Sequence, residues 1–234
     1  MKMFCIMVSM KKLLIQFIIR LALVAIGIAG ILVTVISASF MGGWVAFLYF
    51  TVQSNITIIL MEAFFAFDAL RQMLGKKSLS NHVLYLIKYV FTVAITITFL
   101  VFAFVLAPTL GADYLLSYGN FSLHFIVPIL ALVDFFIFNH DIKLNKVNCL
   151  WGLGMPIYYL IFFFIGIPFN LKYIGNDPAP YFFLNFEKLT WFSFTSNGPG
   201  VFYWILILTG AITGLCYLFY LFIWLIQKYS KKEK

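Results

Sequence analysis

Two residues in apolar surroundings, Thr51 and His124, have side chains that together could hydrolyse an ester. A threonine hydroxyl is a poor nucleophile until a base takes its proton, and neutral histidine is the usual base. Thr51 could then attack the carbonyl carbon of an ester that opens onto the lipid, while His124 relays the proton. This chemistry requires that the two side chains meet.

Other polar side chains accompany this pair. Thr51, Asn55 and Glu62 are spaced by four and seven residues, so at about 100° per residue they fall on one stripe of a helix. Ser54 borders that stripe, and Asp134 lies in another apolar run. Asn55, Ser54 or a backbone amide could stabilise an oxyanion. Glu62 and Asp134 are candidates for a proton relay or for structural carboxylates.

Three other interpretations of these residues need no catalysis. A threonine in a membrane helix usually donates to the carbonyl four residues earlier, here that of Phe47. The stripe of Thr51, Asn55 and Glu62 could line the cavity of a transporter or a small-molecule-binding protein and reach deeper toward Asp134. The polar residues could also only tie helices together in a structural or assembly protein.

The composition indicates that membrane helices position these residues. Of the 234 residues, 64% are hydrophobic and 10% are charged, whereas a soluble domain usually carries about 25% charged residues. Apolar runs of about 20 residues recur, and each can cross ~30 Å of hydrocarbon as a helix. We therefore predict an all-α, polytopic membrane bundle that forms a single domain over residues 1–234. Its six transmembrane helices are predicted at about 13–37, 44–67, 83–106, 121–138, 149–167 and 200–226.

Basic residues lie mostly at one set of helix ends. The N-terminus, the C-terminus, the loop between helices two and three, and the loop between helices four and five hold Lys2, Lys11, Lys12, Arg71, Lys76, Lys77, Lys143, Lys146, Lys228, Lys231, Lys232 and Lys234. The opposite loops hold only Lys172 and Lys188. The positive-inside rule therefore predicts a multi-pass protein of the cell membrane with both termini in the cytoplasm. Because topology and anionic headgroups account for the net charge of +8, we expect membrane lipids and not nucleic acid as partners.

This topology places the two reactive side chains in one layer of the membrane. Thr51 is predicted about two turns from the outer end of helix two, and His124 about one turn from the outer end of helix four. Both residues should therefore lie in the outer leaflet. Spacing and charge do not decide whether the two helices touch.

Three further expectations concern charged, small and aromatic residues. Arg20 and Lys88 are near predicted helix ends, where long basic side chains can snorkel to the interface. Gly210 and Gly214 form a GxxxG pair that could mark a dimer face, although packing inside the bundle is the more common use. The segment 168–199 is rich in aromatic residues and poor in charge, so we expect it to cover the outer end of the bundle.

Three segments resemble, in this order, the androgen-induced membrane protein family, and the bacterial branch of that family most closely. They are residues 49–55 (YFTVQSN), 124–128 (HFIVP) and 180–185 (PYFFLN). The resemblance covers nearly the whole chain. It implies a six-helix lipid hydrolase, because the animal members cleave fatty acid esters of hydroxy fatty acids with an intramembrane threonine and a histidine.

The threonine and histidine of that family correspond here to Thr51 and His124. The resemblance implies that Thr51 is the nucleophile and that a lipid ester is the substrate. Ser54 and Asn55 would then be supporting polar groups, and the segment 180–191 would cap the site. We expect no cofactor and no metal, since the histidines lack the spacing of metal ligands.

Overall fold

The computed structural model describes residues 2–38, 43–138, 142–196 and 198–230. Six helices in this part of the chain are long and apolar enough to cross a membrane, which confirms the predicted all-α, multi-pass fold. The spans are Met10–Ser37, Phe50–Met73, His82–Leu106, Tyr118–Phe138, Asn148–Gly166 and Val201–Tyr229. We number these six spans in chain order.

The α-helices, in chain order, are α1 (Lys2–Ala38), α2 (Phe50–Met73), α3 (His82–Val101), α4 (Ala112–Leu115), α5 (Tyr118–Phe121), α6 (Val127–Phe138), α7 (Gly154–Gly166), α8 (Phe186–Leu189) and α9 (Val201–Ser230). Short 3₁₀ turns lie at Gly43–Leu48, Ala107–Thr109, Asn148–Leu153, Ile174–Asn176 and Phe182–Leu184. Two short strands, β1 (Phe194–Thr195) and β2 (Gly198–Pro199), pair antiparallel.

The second span differs most from its predicted limits of 44–67. Residues Gly43–Leu48 form the 3₁₀ turn, and α2 begins at Phe50 and continues to Met73. The prediction that Thr51 lies two turns inside this helix is therefore wrong, because Thr51 is in its first turn. The end of the bundle at which α2 begins is called the Thr51 end below.

Two spans contain a π-helical turn, at Phe102–Leu106 and at Ser122–Ile126. Each turn contains the residue four positions before a proline, Phe104 before Pro108 and His124 before Pro128. Proline has no N–H to donate to the carbonyl four residues earlier, and its ring pushes that carbonyl away. We attribute the local widening of both helices to these prolines. Such π-helical turns are frequent at functional sites.

Four charged side chains from four different spans meet inside the bundle. Arg20 Nε donates to Asp134 Oδ1 at 2.8 Å, and Lys88 Nζ lies 2.9 Å from the Glu62 carboxylate. Lys88 also donates to Asp134, and Arg20 Nη1 donates to the Phe65 carbonyl at 3.0 Å. The cluster has two positive and two negative charges, so each charge faces an opposite one.

The prediction that Arg20 and Lys88 snorkel to the membrane interface is wrong. Arg20 is 4% exposed, and the side chains of Lys88, Glu62 and Asp134 are 0% exposed. Both cations turn inward because carboxylates on α2 and α6 are within hydrogen-bond reach. A buried charge without such a partner would cost several kcal/mol.

The predicted packing of Gly210 and Gly214 inside the bundle is also wrong. A β carbon built on either glycine would meet no atom within 4 Å. The opposite face of α9 packs inward instead, through Cys216, Phe219 and Ile223, which are all at most 3% exposed. The side of α9 on which a β carbon of either glycine would lie therefore faces open space in the described part of the chain.

The prediction that the segment 168–199 covers one end of the bundle is confirmed, and the end it covers is the Thr51 end. Tyr173, Phe183 and Leu184 are buried in this segment, and they form a hydrophobic cluster with Phe163 of α7 and Val201 of α9. The Ile174 N–H donates to the Tyr49 hydroxyl at 3.1 Å. The segment is thus packed onto the residues that immediately precede α2.

Candidate functional site

The hydroxyl of Thr51 and the imidazole of His124 are in contact. These two residues are called the reactive pair below, after the chemistry predicted for them. Thr51 Oγ1 lies 3.2 Å from His124 Nε2. Thr51 is in the first turn of α2, and His124 is in the π-helical turn that precedes α6. The prediction that both residues lie in one layer is confirmed, and the second and fourth spans are adjacent there.

A backbone carbonyl sets the proton positions of this pair. His124 Nδ1 lies 3.0 Å from the Asn120 carbonyl oxygen, which can only accept a hydrogen bond. In the neutral ring, Nδ1 therefore carries the proton and donates it to Asn120. Nε2 then presents its lone pair to the Thr51 hydroxyl. A hydroxyl, an imidazole nitrogen that can accept its proton, and a carbonyl that orients the ring thus follow one another, which is the order of groups in hydrolases with a serine triad.

The His124 ring is also fixed by packing. It stacks on the Phe102 ring with 3.7 Å between the centroids and 18° between the planes, and it is 7% exposed. Phe102 begins the other π-helical turn. The two π-helical turns thus face each other across the imidazole, which leaves the ring little freedom to rotate away from Thr51.

Asn55 and Ser54 contact the backbone of Thr51 and not its hydroxyl. Asn55 Nδ2 donates to the Thr51 carbonyl at 2.8 Å and to the Leu123 carbonyl at 3.1 Å. It therefore ties α2 to the residue just before His124. The Ser54 hydroxyl lies 3.1 Å from the Thr51 carbonyl and 2.8 Å from Thr98 Oγ1. Both residues are suited to hold the reactive pair in place.

Glu62 and Asp134 lie in the charge cluster, away from the reactive pair. Along α2, Thr51 and Glu62 are about 16 Å apart at 1.5 Å per residue. Asn55 and Glu62 are both fully buried, so the predicted stripe occupies one helix face without facing one open cavity. The alternative in which Thr51 donates to the Phe47 carbonyl is not among the contacts seen: Thr51 Oγ1 contacts His124 Nε2 instead, and the Phe47 carbonyl accepts from Gln53 Nε2 at 3.0 Å.

Two cavities meet at Thr51 and His124. The first has a volume of about 160 Å³ and an almost entirely apolar lining from the third, fifth and sixth spans. The second has a volume of about 310 Å³ and a more polar lining, which includes Thr34, Tyr49 and Asn120. Five residues line both cavities, namely Thr51, Phe102, Leu106, His124 and Tyr181. The reactive pair thus lies where two compartments of different polarity join.

Tyr181 brings the covering segment to the reactive pair. Its hydroxyl lies beside the side chain of Thr51 and the backbone N–H groups of Phe50 and Thr51. The first N–H groups of a helix have no acceptor within the helix, so they point outward and can bind an anion. Burial raises the pKa of the Tyr181 hydroxyl to about 12. Tyr181 therefore keeps its proton at neutral pH and is a hydrogen-bond donor.

The sequence interpretation did not single out Tyr181 and Phe102. Tyr181 lies in the segment PYFFLN, which was interpreted as one of the segments that carry the family resemblance and as part of a cap, with no role for the tyrosine itself. Phe102 has no polar group to attract attention. The signal that could have indicated it is the spacing of Phe104 from Pro108, which matches the spacing of His124 from Pro128 and predicts a second distorted turn.

Comparisons with protein-family models, curated proteins and solved structures found no match to this chain. The resemblance to the androgen-induced membrane protein family therefore remains a prediction.

Proposed function

We propose that this protein is an integral membrane hydrolase of lipid esters in which Thr51 is the nucleophile and His124 the base. One observation carries the proposal. Thr51 Oγ1 lies 3.2 Å from His124 Nε2. This ring nitrogen is left unprotonated in the neutral imidazole, because Nδ1 carries the proton and donates it to the Asn120 carbonyl. Helical packing alone does not require a threonine, a histidine and a carbonyl in this order at the junction of two cavities.

In the first half-reaction His124 Nε2 takes the proton of the Thr51 hydroxyl while Oγ1 bonds to the ester carbonyl carbon. The carbonyl oxygen becomes an oxyanion, and the N–H groups of Phe50 and Thr51 and the Tyr181 hydroxyl are the donors beside it. The carbon–oxygen bond to the alcohol then breaks, and His124 Nε2 gives its proton to the leaving alkoxide. The acyl group stays on Thr51 as an ester.

In the second half-reaction a water molecule loses a proton to His124 Nε2 and bonds to the acyl carbon. The bond to Thr51 Oγ1 breaks, and Oγ1 recovers its proton from the imidazole. The products are a carboxylic acid, an alcohol and the free enzyme, so the protein is unchanged after one turnover. The His124–Asn120 bond is present throughout and stabilises the imidazolium that forms twice in each cycle.

The distribution of basic residues supports one orientation in the membrane. Arg71, Lys76 and Lys77 lie at the far end of α2 or in the loop after it, whereas Lys172 and Lys188 lie at the Thr51 end. We extend the proposal to a cell-membrane protein with cytoplasmic termini and the reactive pair in the outer leaflet. Its substrate is then a lipid of that leaflet.

No observation favours the transporter or binding-protein alternative. That alternative needs Asn55 and Glu62 to line an open path toward Asp134, yet all three side chains are fully buried. Glu62 and Asp134 are each hydrogen-bonded to Lys88. The Glu62→Gln variant would therefore test stability more than transport, because it removes one charge from a balanced cluster.

The proposal is tested by labelling with a fluorophosphonate, which forms a covalent bond with an activated hydroxyl. Membranes containing wild type, Thr51→Ala and His124→Ala are compared with the control Thr57→Ala. Thr57 lies on the same helix, and its hydroxyl donates only to the Ser54 carbonyl at 2.9 Å among the contacts seen. We expect labelling of wild type and the control and none of the other two variants. Equal labelling of Thr51→Ala would exclude Thr51 as the nucleophile.

A further inference from the structure

The two cavities open on different surroundings. Two residues that line the first cavity, Ile157 of α7 and Thr209 of α9, are exposed on the face of the bundle between the fifth and sixth spans. Both lie well inside their spans, at a depth where the surroundings are hydrocarbon. The first cavity is therefore reached from the lipid.

The second cavity opens at the Thr51 end of the bundle. Leu110, Ile174 and Phe182 line it, and each is at least 36% exposed. All three lie in segments that connect the spans and not in the spans themselves. This cavity therefore faces the membrane surface, where water and polar headgroups are available.

The lining of each cavity matches in polarity the surroundings on which that cavity opens. The first cavity is walled mainly by aliphatic and aromatic carbon, from residues such as Val101, Leu160 and Leu208. A hydrocarbon tail can pass from the lipid into this cavity without exposing apolar carbon to water, whereas a polar group would lose its hydrogen-bond partners there. The first cavity therefore favours a hydrocarbon tail. The hydroxyl and amide groups of Tyr49 and Asn120 in the second cavity suit a group that forms hydrogen bonds.

We infer that the substrate is an ester of a fatty acid with a polar alcohol, bound across the reactive pair with its acyl chain in the first cavity and its alcohol in the second. This inference rests on the proposed function and specifies its substrate class. The acyl chain enters from the lipid between the fifth and sixth spans and stays in place while it is bonded to Thr51. The polar alcohol leaves through the second cavity to the membrane surface, and the hydrolytic water arrives by the same route.

The inference is tested with esters of increasing acyl length on one alcohol, and of increasing alcohol size on one acyl chain, in mixed micelles. Leu208→Trp fills the wall of the first cavity. Ile207→Trp is its matched control, since Ile207 is the neighbouring residue of α9, is 55% exposed and lines neither cavity. Leu208→Ala removes volume from the same wall and enlarges the first cavity. It shows whether a change in selectivity is due to the cavity volume or to misfolding. Leu110→Trp fills the second cavity.

We expect Leu208→Trp to lower kcat/KM at least about tenfold for the longest acyl chain that wild type accepts, because one excess methylene in an apolar pocket changes kcat/KM by roughly 10–200-fold. Leu208→Ala should shift the preference toward longer chains, and Ile207→Trp should leave it unchanged. Leu110→Trp should alter selectivity for the alcohol and not for the acyl chain.

Three results would overturn the inference. If Leu208→Trp changes alcohol selectivity and Leu110→Trp changes acyl selectivity, the acyl chain binds in the second cavity and the alcohol in the first, opposite to the inference. If neither variant changes either selectivity in an active enzyme, the cavities do not bind substrate. If the fluorophosphonate labels Thr51 but wild type hydrolyses no ester with an apolar acyl chain, the substrate class is wrong while the proposed function stands. If wild type is not labelled by the fluorophosphonate and hydrolyses no ester, the proposed function itself is refuted.

Discussion

Thr51 and His124 are 73 positions apart in the chain, and their side chains meet at 3.2 Å. Each is placed by a helix irregularity. Thr51 lies at the point where a 3₁₀ turn gives way to α2, and His124 lies in a π-helical turn four residues before Pro128. The contact therefore depends on local departures from regular helix geometry, which fix both side chains at the junction of the cavities.

Replacement of Thr51 by valine should abolish turnover and leave the fold intact. Valine has nearly the shape of threonine but no hydroxyl, so we expect kcat to fall by at least about 10⁴-fold, as for the loss of a nucleophile in other hydrolases. Thr51→Ser keeps the hydroxyl and should retain measurable activity. Initial rates on an acyl ester in micelles, with melting temperatures in detergent, check both. An active Thr51→Val enzyme would refute the nucleophile assignment.

The Tyr181→Phe variant should lose rate more than affinity. If the hydroxyl binds the oxyanion, its removal should lower kcat by about 10²–10³-fold with little change in KM, the usual effect of losing one such donor. Because burial raises the pKa of Tyr181 to about 12, the hydroxyl stays protonated below pH 10. The variant should therefore show the same pH profile as wild type between pH 6 and 9. A raised KM at unchanged kcat would indicate that Tyr181 only binds substrate.

The fold was predictable from sequence because composition and run length determine where helices can cross a membrane. The shared layer of Thr51 and His124 was also predictable, since topology places both near the same helix ends. Their contact was not, because spacing and charge do not specify which helices are adjacent. The start of α2 was not, because residues 44–48 are as apolar as a helix and nothing local marks them as a 3₁₀ turn.

The partners of the buried charges were not predictable for a different reason. Arg20 and Lys88 each lie near a predicted helix end, where snorkelling explains a lone cation equally well. Whether a cation turns inward depends on the rotation of four helices about their axes, which sequence periodicity does not specify. Only tertiary packing brings the Glu62 and Asp134 carboxylates within reach.

Removal of one charge from the buried cluster should destabilise the protein strongly. Lys88→Met leaves Glu62 and Asp134 with Arg20 as their remaining cation, and breaking a buried pair in this way typically costs about 3–5 kcal/mol. The double variant Lys88→Met, Asp134→Asn leaves one cation and one anion. We expect it to be less destabilised than the sum of the two single variants, as measured by unfolding in detergent.

An exposed ion pair gives the matched control for this effect. Lys188 Nζ lies 3.5 Å from Asp177 Oδ1, and the two side chains are 67% and 47% exposed. Exposed pairs contribute about 0–1 kcal/mol, so Lys188→Met should scarcely change the melting temperature. Equal melting temperatures for Lys88→Met and Lys188→Met would show that the buried cluster contributes no more than a surface pair.

Gly200, which immediately precedes the sixth span, and Gly210 within that span should respond to alanine in opposite directions. A β carbon at Gly200 would lie 2.6 Å from the Trp191 carbonyl oxygen, whereas one at Gly210 would meet nothing within 4 Å. The contact at Gly200 is with backbone, which also accepts hydrogen bonds from the first turn of α9, from Val201 to Thr190 and from Phe202 to Trp191. Gly200→Ala should therefore cost about 1–3 kcal/mol through overpacking. Gly210→Ala should increase the free energy of unfolding by up to about 1 kcal/mol, because alanine has a higher helix propensity than glycine.

The same pair of variants tests whether the covering segment must be anchored to α9. Displacement of Trp191 should loosen the segment that carries Tyr181, so Gly200→Ala should also be cleaved faster within residues 168–199 in limited proteolysis. Gly210→Ala should be cleaved at the wild-type rate, since a β carbon at Gly210 would meet no atom of that segment within 4 Å. If both variants melt and are cleaved like wild type, the close approach of Gly200 to Trp191 does not hold the segment in place, and Tyr181 must be positioned by its aromatic neighbours Tyr49 and Phe183 instead.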